Sequence, residues 1–194
     1  MEFFIRPLEP DEFKSIYVRI KRDFAFGEYA PYRVLKRQLA DGRQQGWLFF
    51  AGGRAAAYAI CAGDTASGVV LISYFAVFDE MRGRGMGTAF LEDIKKAYTD
   101  ARGIVAEVEK PENAKTAGEK ALRERRMAFY RRAGFEPLFG IDYSIWNVPM
   151  HLMVFPPGAD PEEIGRAVHA VYLSLMGRRF IHMLKIACGR EKNL

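Results

Sequence analysis

The sequence predicts an α+β fold: a mixed, mostly antiparallel central sheet flanked by helices, followed by a C-terminal helical extension. Three observations point to it. Two apolar runs, "GWLFFAGG" and "RAAAYAICAGD", meet at Gly52–Gly53, a strong hairpin signal, and a third strand-like run, "VVLISYFAV", follows directly. A helical stripe then separates that third run from "GIVAEVE", and strands joined through a helix are expected to lie parallel. Beyond Gly158 the spacing is helical to the end.

Taken in order, "EFFIRPL" reads as a first strand ended by Pro7, and Phe13, Ile16, Tyr17 and Ile20 mark a helix from Pro10 to about Phe24. A second helix is expected from Pro31 to Ala40, with "DG" at Asp41–Gly42 stopping it. After the hairpin, "GDTASG" turns the chain into Val69–Val77. Phe90, Leu91, Ile94, Ala97 and Tyr98 then share one stripe of a helix over about Gly85–Asp100. A polar stretch from Lys110 becomes a basic helix ending at Gly134, and strand-like pieces follow near Phe135–Ile141 and Met150–Phe155. In the tail, Asp160 is placed to cap a helix with Pro161 in its first turn. Gly177 is expected to divide that region into two helices, the second carrying Phe180, Met183, Leu184 and Ala187. Residues 1–157 are read as one domain, and 158–194 as an extension packed on it or on a partner subunit.

Composition narrows the setting. At 194 residues, 49% of them hydrophobic and 27% charged, the chain has ordinary globular composition. "MEFFIRPLEPDEF" does not read as a signal peptide, and the apolar run at Val69–Phe78 is far short of the ~20 residues a bilayer span needs. Cys61 and Cys188 make no disulfide framework or metal spacing, so a reducing cytoplasm is expected, with no metal. His151, His169 and His182 are read as structural. The net charge of +5 permits an anionic partner without naming one.

The informative stretch is "YFAVFDEMRGRGMGTAFL". Arg82, Gly85 and Gly87 form R-x-x-G-x-G where a strand passes into a helix. A helix start presents unpaired N–H groups and the positive end of the dipole, which suits phosphate oxygens. Gly83, Gly85 and Gly87 keep side chains away from those amides, Arg82 and Arg84 add charge, and Thr88 offers a hydroxyl. A Walker loop would need a lysine after the glycines. The dinucleotide fingerprint would need a glycine where Thr88 stands, in a chain of parallel β-α-β units that three consecutive strands contradict.

That stretch resembles the acyl-CoA-binding motif of the GNAT superfamily of N-acetyltransferases, and "MAFYRRAGF" (Met127–Phe135) is similar to the family's second signature. The resemblance covers Glu2 to about Phe155. It implies transfer of an acetyl group from acetyl-CoA to an amine. The pyrophosphate would lie on the amides of Arg82, Gly83, Arg84, Gly85, Met86, Gly87 and Thr88. The pantetheine arm would pair with the backbone of Phe75, Ala76 and Val77, and the Val77 N–H would polarise the thioester carbonyl. Tyr130 occupies the family position for protonating the leaving thiolate.

The base is less determined. Where some relatives carry a glutamate early in the strand, this chain has Leu71. Glu107 and Glu109 share one face of "GIVAEVE" and are candidates for accepting a proton or binding a cation, with Asp64, Glu28 and a water relay as further options. Arg123 stands where many relatives have an asparagine, and Asn113 is too far upstream to inherit that place. Arg123, Arg125 and Arg126 either meet CoA phosphates or form an exposed basic face. Phe24, Phe26, Tyr29 and Tyr32 lie where the family often builds its acceptor pocket, or are core. The expected partners are a small-molecule or protein amine and a second copy in a homodimer, with neither membrane nor nucleic acid. A non-catalytic acyl-CoA-binding or sensing module is the alternative, kept by Leu71, and nucleic-acid binding by the basic helix is a third reading.

Overall fold

The local signals largely become the elements they predict. The computed structural model describes residues 2–64 and 68–189. Thr65, Ala66 and Ser67 of the expected "GDTASG" turn, and the side chain of Asp64, lie outside the described residues. The elements are β1 (Phe3–Pro7), α1 (Phe13–Asp23), α2 (Tyr32–Ala40), β2 (Gln44–Ala51), β3 (Arg54–Asp64), β4 (Val69–Val77), α3 (Met86–Ala97), β5 (Gly103–Glu109), α4 (Ala117–Arg132), β6 (Glu136–Pro137), β7 (Ile141–Ile145), β8 (Val148–Phe155), α5 (Pro161–Phe180) and β9 (Leu184–Cys188). The architecture is α+β, a mixed and mostly antiparallel sheet with flanking helices.

The chain divides into two compact units, Met1–Ala62 with Ile72–Ala97, and Gly63–Leu71 with Tyr98–Leu194. In the first, the strands run in the order β1-β2-β3-β4, with β1–β2 and β2–β3 antiparallel. Gly52 and Gly53 turn the β2–β3 hairpin with φ of 57° and 76°, a left-handed region that glycine enters without a steric penalty. Phe13, Ile16 and Ile20 of α1 and Leu35 of α2 are buried with Leu48, Tyr58, Ile60, Tyr74 and Ala76 of the sheet and with Phe78 just after β4. Each such aliphatic or aromatic side chain contributes about 1.5–3 kcal/mol of burial, so this cluster fixes which face of β4 points inward.

In the second unit the order is β5-β8-β7-β9, with β6 also on β8, and the β5–β8, β6–β8, β7–β8 and β7–β9 pairs are antiparallel. The strand expected near Phe135–Ile141 is two, β6 and β7, separated at Gly140 (φ 77°). Trp146 and Asn147 both take positive φ, 52° and 61°, and so make the tight β7–β8 turn. Helix α5 starts as expected: the Asp160 carboxylate accepts from the Glu162 and Glu163 amides at 3.3 and 3.2 Å.

The second tail helix is instead a strand. Gly177 (φ 68°, ψ 174°) kinks α5, and Leu184–Cys188 pairs along β7. Leu184, Ile186 and Cys188 are more buried than Lys185 and Ala187 between them, a period of two that the apolar spacing alone did not separate from a helix. Gly165 lets α5 approach these strands closely: a Cβ there would meet Ile186 Cγ2 at 3.2 Å and Ile141 Cδ1 at 3.3 Å.

Candidate active site

The glycine-rich loop belongs to the first unit. Alternation along β4 buries Tyr74 and Ala76, which lie in the α1–α2 core, and leaves Ser73, Phe75 and Val77 half-buried on the other face. On that face Phe75 stacks on Phe90 of α3, ring centroids 5.0 Å apart, and Phe90 also meets Phe49 at 5.3 Å. The strand thus anchors the helix whose first turn the loop opens.

Beyond β4, Phe78 N donates to Ala56 O (2.8 Å) and a 3-10 turn spans Asp79–Met81. Gly83 and Gly85 follow at φ 76° and 74°, and the Gly85 carbonyl takes the first α3 bond, from Ala89 N, at 3.1 Å. The amides of Met86, Gly87 and Thr88 are therefore first-turn donors, which have no acceptor within the helix. A Cβ added at Gly83 or Gly85 would meet nothing within 4 Å. Open space at these two glycines leaves room for an anion to approach the start of the helix.

Arg82 is committed elsewhere. Its Nε donates to Val77 O at 3.0 Å, and its guanidinium lies 2.6 Å from Asp79 and 3.6 Å from Asp23. Arg22 pairs with the same two carboxylates, at 3.2 and 3.8 Å, closing a ring of four alternating charges between the end of α1 and the loop. Tyr58 donates to Asp23 at 3.0 Å, and burial beside that carboxylate holds the phenol's pKa far above its ordinary value. Arg19 lies 3.4 Å over the Phe78 ring. Arg82 braces the loop, and Arg84 beside it is also exposed. Asp23 was missed in the sequence because its partner sits 59 positions away.

Tyr130, Glu107 and Glu109 lie in the second unit. Tyr130 is in the last turns of α4, buried, its ring edge-on to Phe129 (5.1 Å) and Phe135 (5.5 Å). Thr116 caps α4 by accepting from Glu119 N (3.1 Å), while Glu119 accepts from Lys115 N (2.8 Å), so the helix begins well upstream of Arg123. Arg123 faces inward. It meets Glu109 at 2.6 Å and donates to Lys110 O at 3.0 Å, which ties α4 to the end of β5. Asn113 sits in a 3-10 turn ahead of the helix.

Glu107 has different company. Tyr172 of α5 lies 2.9 and 2.8 Å from its two carboxylate oxygens, and Tyr143 of β7 donates to Oε1. Removal from water raises its pKa, and the two phenol donors lower it, with burial the larger effect. Neither tyrosine was singled out in the sequence. Of the other candidates, Glu28 accepts from Ala25 N (3.0 Å) within its own loop, and His151 lies 3.2 Å from Glu112. Tyr17 stacks edge-on to Tyr29 and Tyr32, Phe24 meets Tyr74, and Phe26 is fully out in solvent. Among the described residues no cluster of histidine, cysteine and carboxylate side chains is arranged to hold a metal ion, and no helix is long and apolar enough to cross a membrane.

The glycine loop lies within a stretch that is similar to a known family. The family model for the acetyltransferase (GNAT) domain matches residues 43–137, from the start of β2 through β6. No curated protein matches the chain. Among solved structures, a GNAT-family acetyltransferase from Bacteroides thetaiotaomicron is 22% identical, covers 90% of this chain and 98% of its own, and superposes with a TM-score of 0.73. Spermidine N-acetyltransferase from Vibrio cholerae, solved with CoA and spermine, is 10% identical over 79% of this chain and 94% of its own, with a TM-score of 0.61. The ribosomal-protein-S18-alanine N-acetyltransferase of Escherichia coli is 18% identical over 79% and 91%, with a TM-score of 0.52. At these identities the structures speak to the fold, and the family model speaks to the domain. Residues 43–137 match the family model of the GNAT acetyltransferase domain, and the chain shares the fold of GNAT-family acetyltransferase structures.

Proposed function

We propose that the chain moves the acetyl group of acetyl-CoA to a primary amine, of a small molecule or a protein, by direct attack on the thioester. The observation that carries this reading is the opening of α3: left-handed Gly83 and Gly85, open space beside them, and first-turn amides turned to a phosphate's needs. The pyrophosphate lies on the Arg82–Thr88 backbone, with Arg84 supplying charge, and the pantetheine pairs along Phe75–Val77. The Val77 N–H faces the thioester oxygen as negative charge develops there.

The amine nitrogen attacks the carbonyl carbon, the C–S bond breaks, and the thiolate takes the proton of Tyr130. The proton lost by the amine goes to Glu107. Of the two carboxylates on β5, Glu109 is neutralised by Arg123, whereas the side-chain donors to Glu107 among the described residues are the phenols of Tyr143 and Tyr172. Its raised pKa brings it closer to the range in which a general base works well at neutral pH. The reaction is read as cytoplasmic from the cysteine usage, and the chain as a homodimer from the sequence resemblance. A non-catalytic acyl-CoA sensor is the second reading, favoured by Leu71, fully buried where some relatives carry a glutamate.

Calorimetry with acetyl-CoA and thiol release on adding a panel of primary amines test the proposal. Uptake followed by amine-dependent thiol release supports it. Uptake with no release on any amine favours the sensor, and no uptake removes both.

A further inference from the structure

Glu107 is gripped by side chains that the acetyl-transfer reading does not require. Tyr143 comes from β7, 36 positions along the chain, and Tyr172 from α5, 65 positions along. Tyr143 is 1% exposed and its proton is held, because burial and the adjacent carboxylate push its pKa well up. Of these two groups, Glu107 is therefore the one that can carry charge. No lysine, arginine or histidine faces the carboxylate among the described residues. Glu109, next on the same face of β5, belongs to Arg123, and the β8 residue opposite Glu107 is Leu152.

A carboxylate withdrawn from water without a cation tends to take up a proton, and a protonated acid is no base. Donors aimed at its oxygens counter that tendency. Tyr172 straddles both oxygens and Tyr143 donates to one, so both hydroxyls lie against the carboxylate. Together they also restrict the side-chain torsions of Glu107.

We propose that Tyr172, with Tyr143, is a positioning residue for Glu107: the two hydroxyls fix the carboxylate and keep it able to accept the amine's proton, so that the C-terminal helix is part of the acceptor-side chemistry. The inference rests on the acetyl-transfer reading, but its test does not. The carboxyl carbon of Glu107 is followed by NMR in protein carrying 13C-labelled glutamate, its signal assigned by its loss in Glu107→Gln. Titration midpoints are compared in the wild type, Tyr172→Phe and Tyr143→Phe. Each substitution removes one donor to the charged form and raises the midpoint by about one pH unit, a tenfold gain in proton affinity. Two variants at separate elements guard against one of them folding poorly. A midpoint that moves in neither overturns the proposal. Where an amine supports turnover, the acidic limb of the pH–rate profile shifts with the midpoint, and a limb that stays put while the midpoint moves also overturns it. Absence of acetyl-CoA uptake by the wild type would instead sink the acetyl-transfer reading and leave the titration standing.

Discussion

Replacing Gly85 with alanine separates what the loop does for the fold from what it does for the coenzyme. Gly85 holds φ 74°, where a Cβ adds strain of roughly 1–2 kcal/mol, partly offset by a stiffer unfolded chain. In the free protein the added methyl meets nothing within 4 Å, so no clash adds to the strain. The net loss is about 1 kcal/mol, or roughly 2–4 °C in Tm for a chain of this size. A diphosphate is different: bound on this loop as proposed, it would share the open space that the methyl enters, and each first-turn amide would donate to it a charge-assisted bond worth about 1.5–3 kcal/mol. Losing or lengthening two of them weakens acetyl-CoA by about 3 kcal/mol, on the order of a hundredfold in Kd. Gly53→Ala is the matched control, since Gly53 has φ 76° and equal space at the tip of the β2–β3 hairpin. Scanning calorimetry should show similar Tm losses for both variants, and titration calorimetry should show weakened acetyl-CoA only for Gly85→Ala. Equal affinities in the two variants would refute the reasoning.

The other expectations are simpler. Tyr130→Phe keeps the ring packing against Phe129 and Phe135 and should lower amine-dependent turnover by about 10²–10⁴ with acetyl-CoA affinity unchanged; equal losses in both would count against its acid role. Asp160→Ala removes the acceptor of two α5 amides and should cost about 1 kcal/mol, read as a fall in Tm. Because the folded chain holds the Glu107 proton more tightly than the unfolded chain does, the stability linked to that proton is present at acid pH. It is lost as pH rises from the ordinary glutamate range through the raised folded midpoint. Denaturant melts of the wild type and Glu107→Gln should therefore differ in slope across that interval, the wild type falling more steeply with pH.

Local chemistry was legible in the sequence and long-range chemistry was not. The Gly52–Gly53 hairpin, the Asp160 cap and the R-x-x-G-x-G helix start each depend on a few adjacent residues whose backbone needs are specific. The brace on Arg82 depends on Asp23, and the grip on Glu107 depends on Tyr143 and Tyr172, all brought close by folding. Nothing in the spacing of an isolated tyrosine marks it as the partner of a distant carboxylate. The tail shows a second kind of failure. Phe180, Met183, Leu184 and Ala187 fit a helical stripe, yet Leu184, Ile186 and Cys188 fit a strand equally well, and pairing with β7 decided between them.

Backbone amide NMR during addition of coenzyme A examines the diphosphate loop itself. The largest shifts should fall on Gly83, Gly85, Met86, Gly87 and Thr88 and saturate with one equivalent, as expected for phosphate oxygens docked on the first turn of α3. Shifts centred elsewhere on the chain, or no shifts at all, would contradict the account.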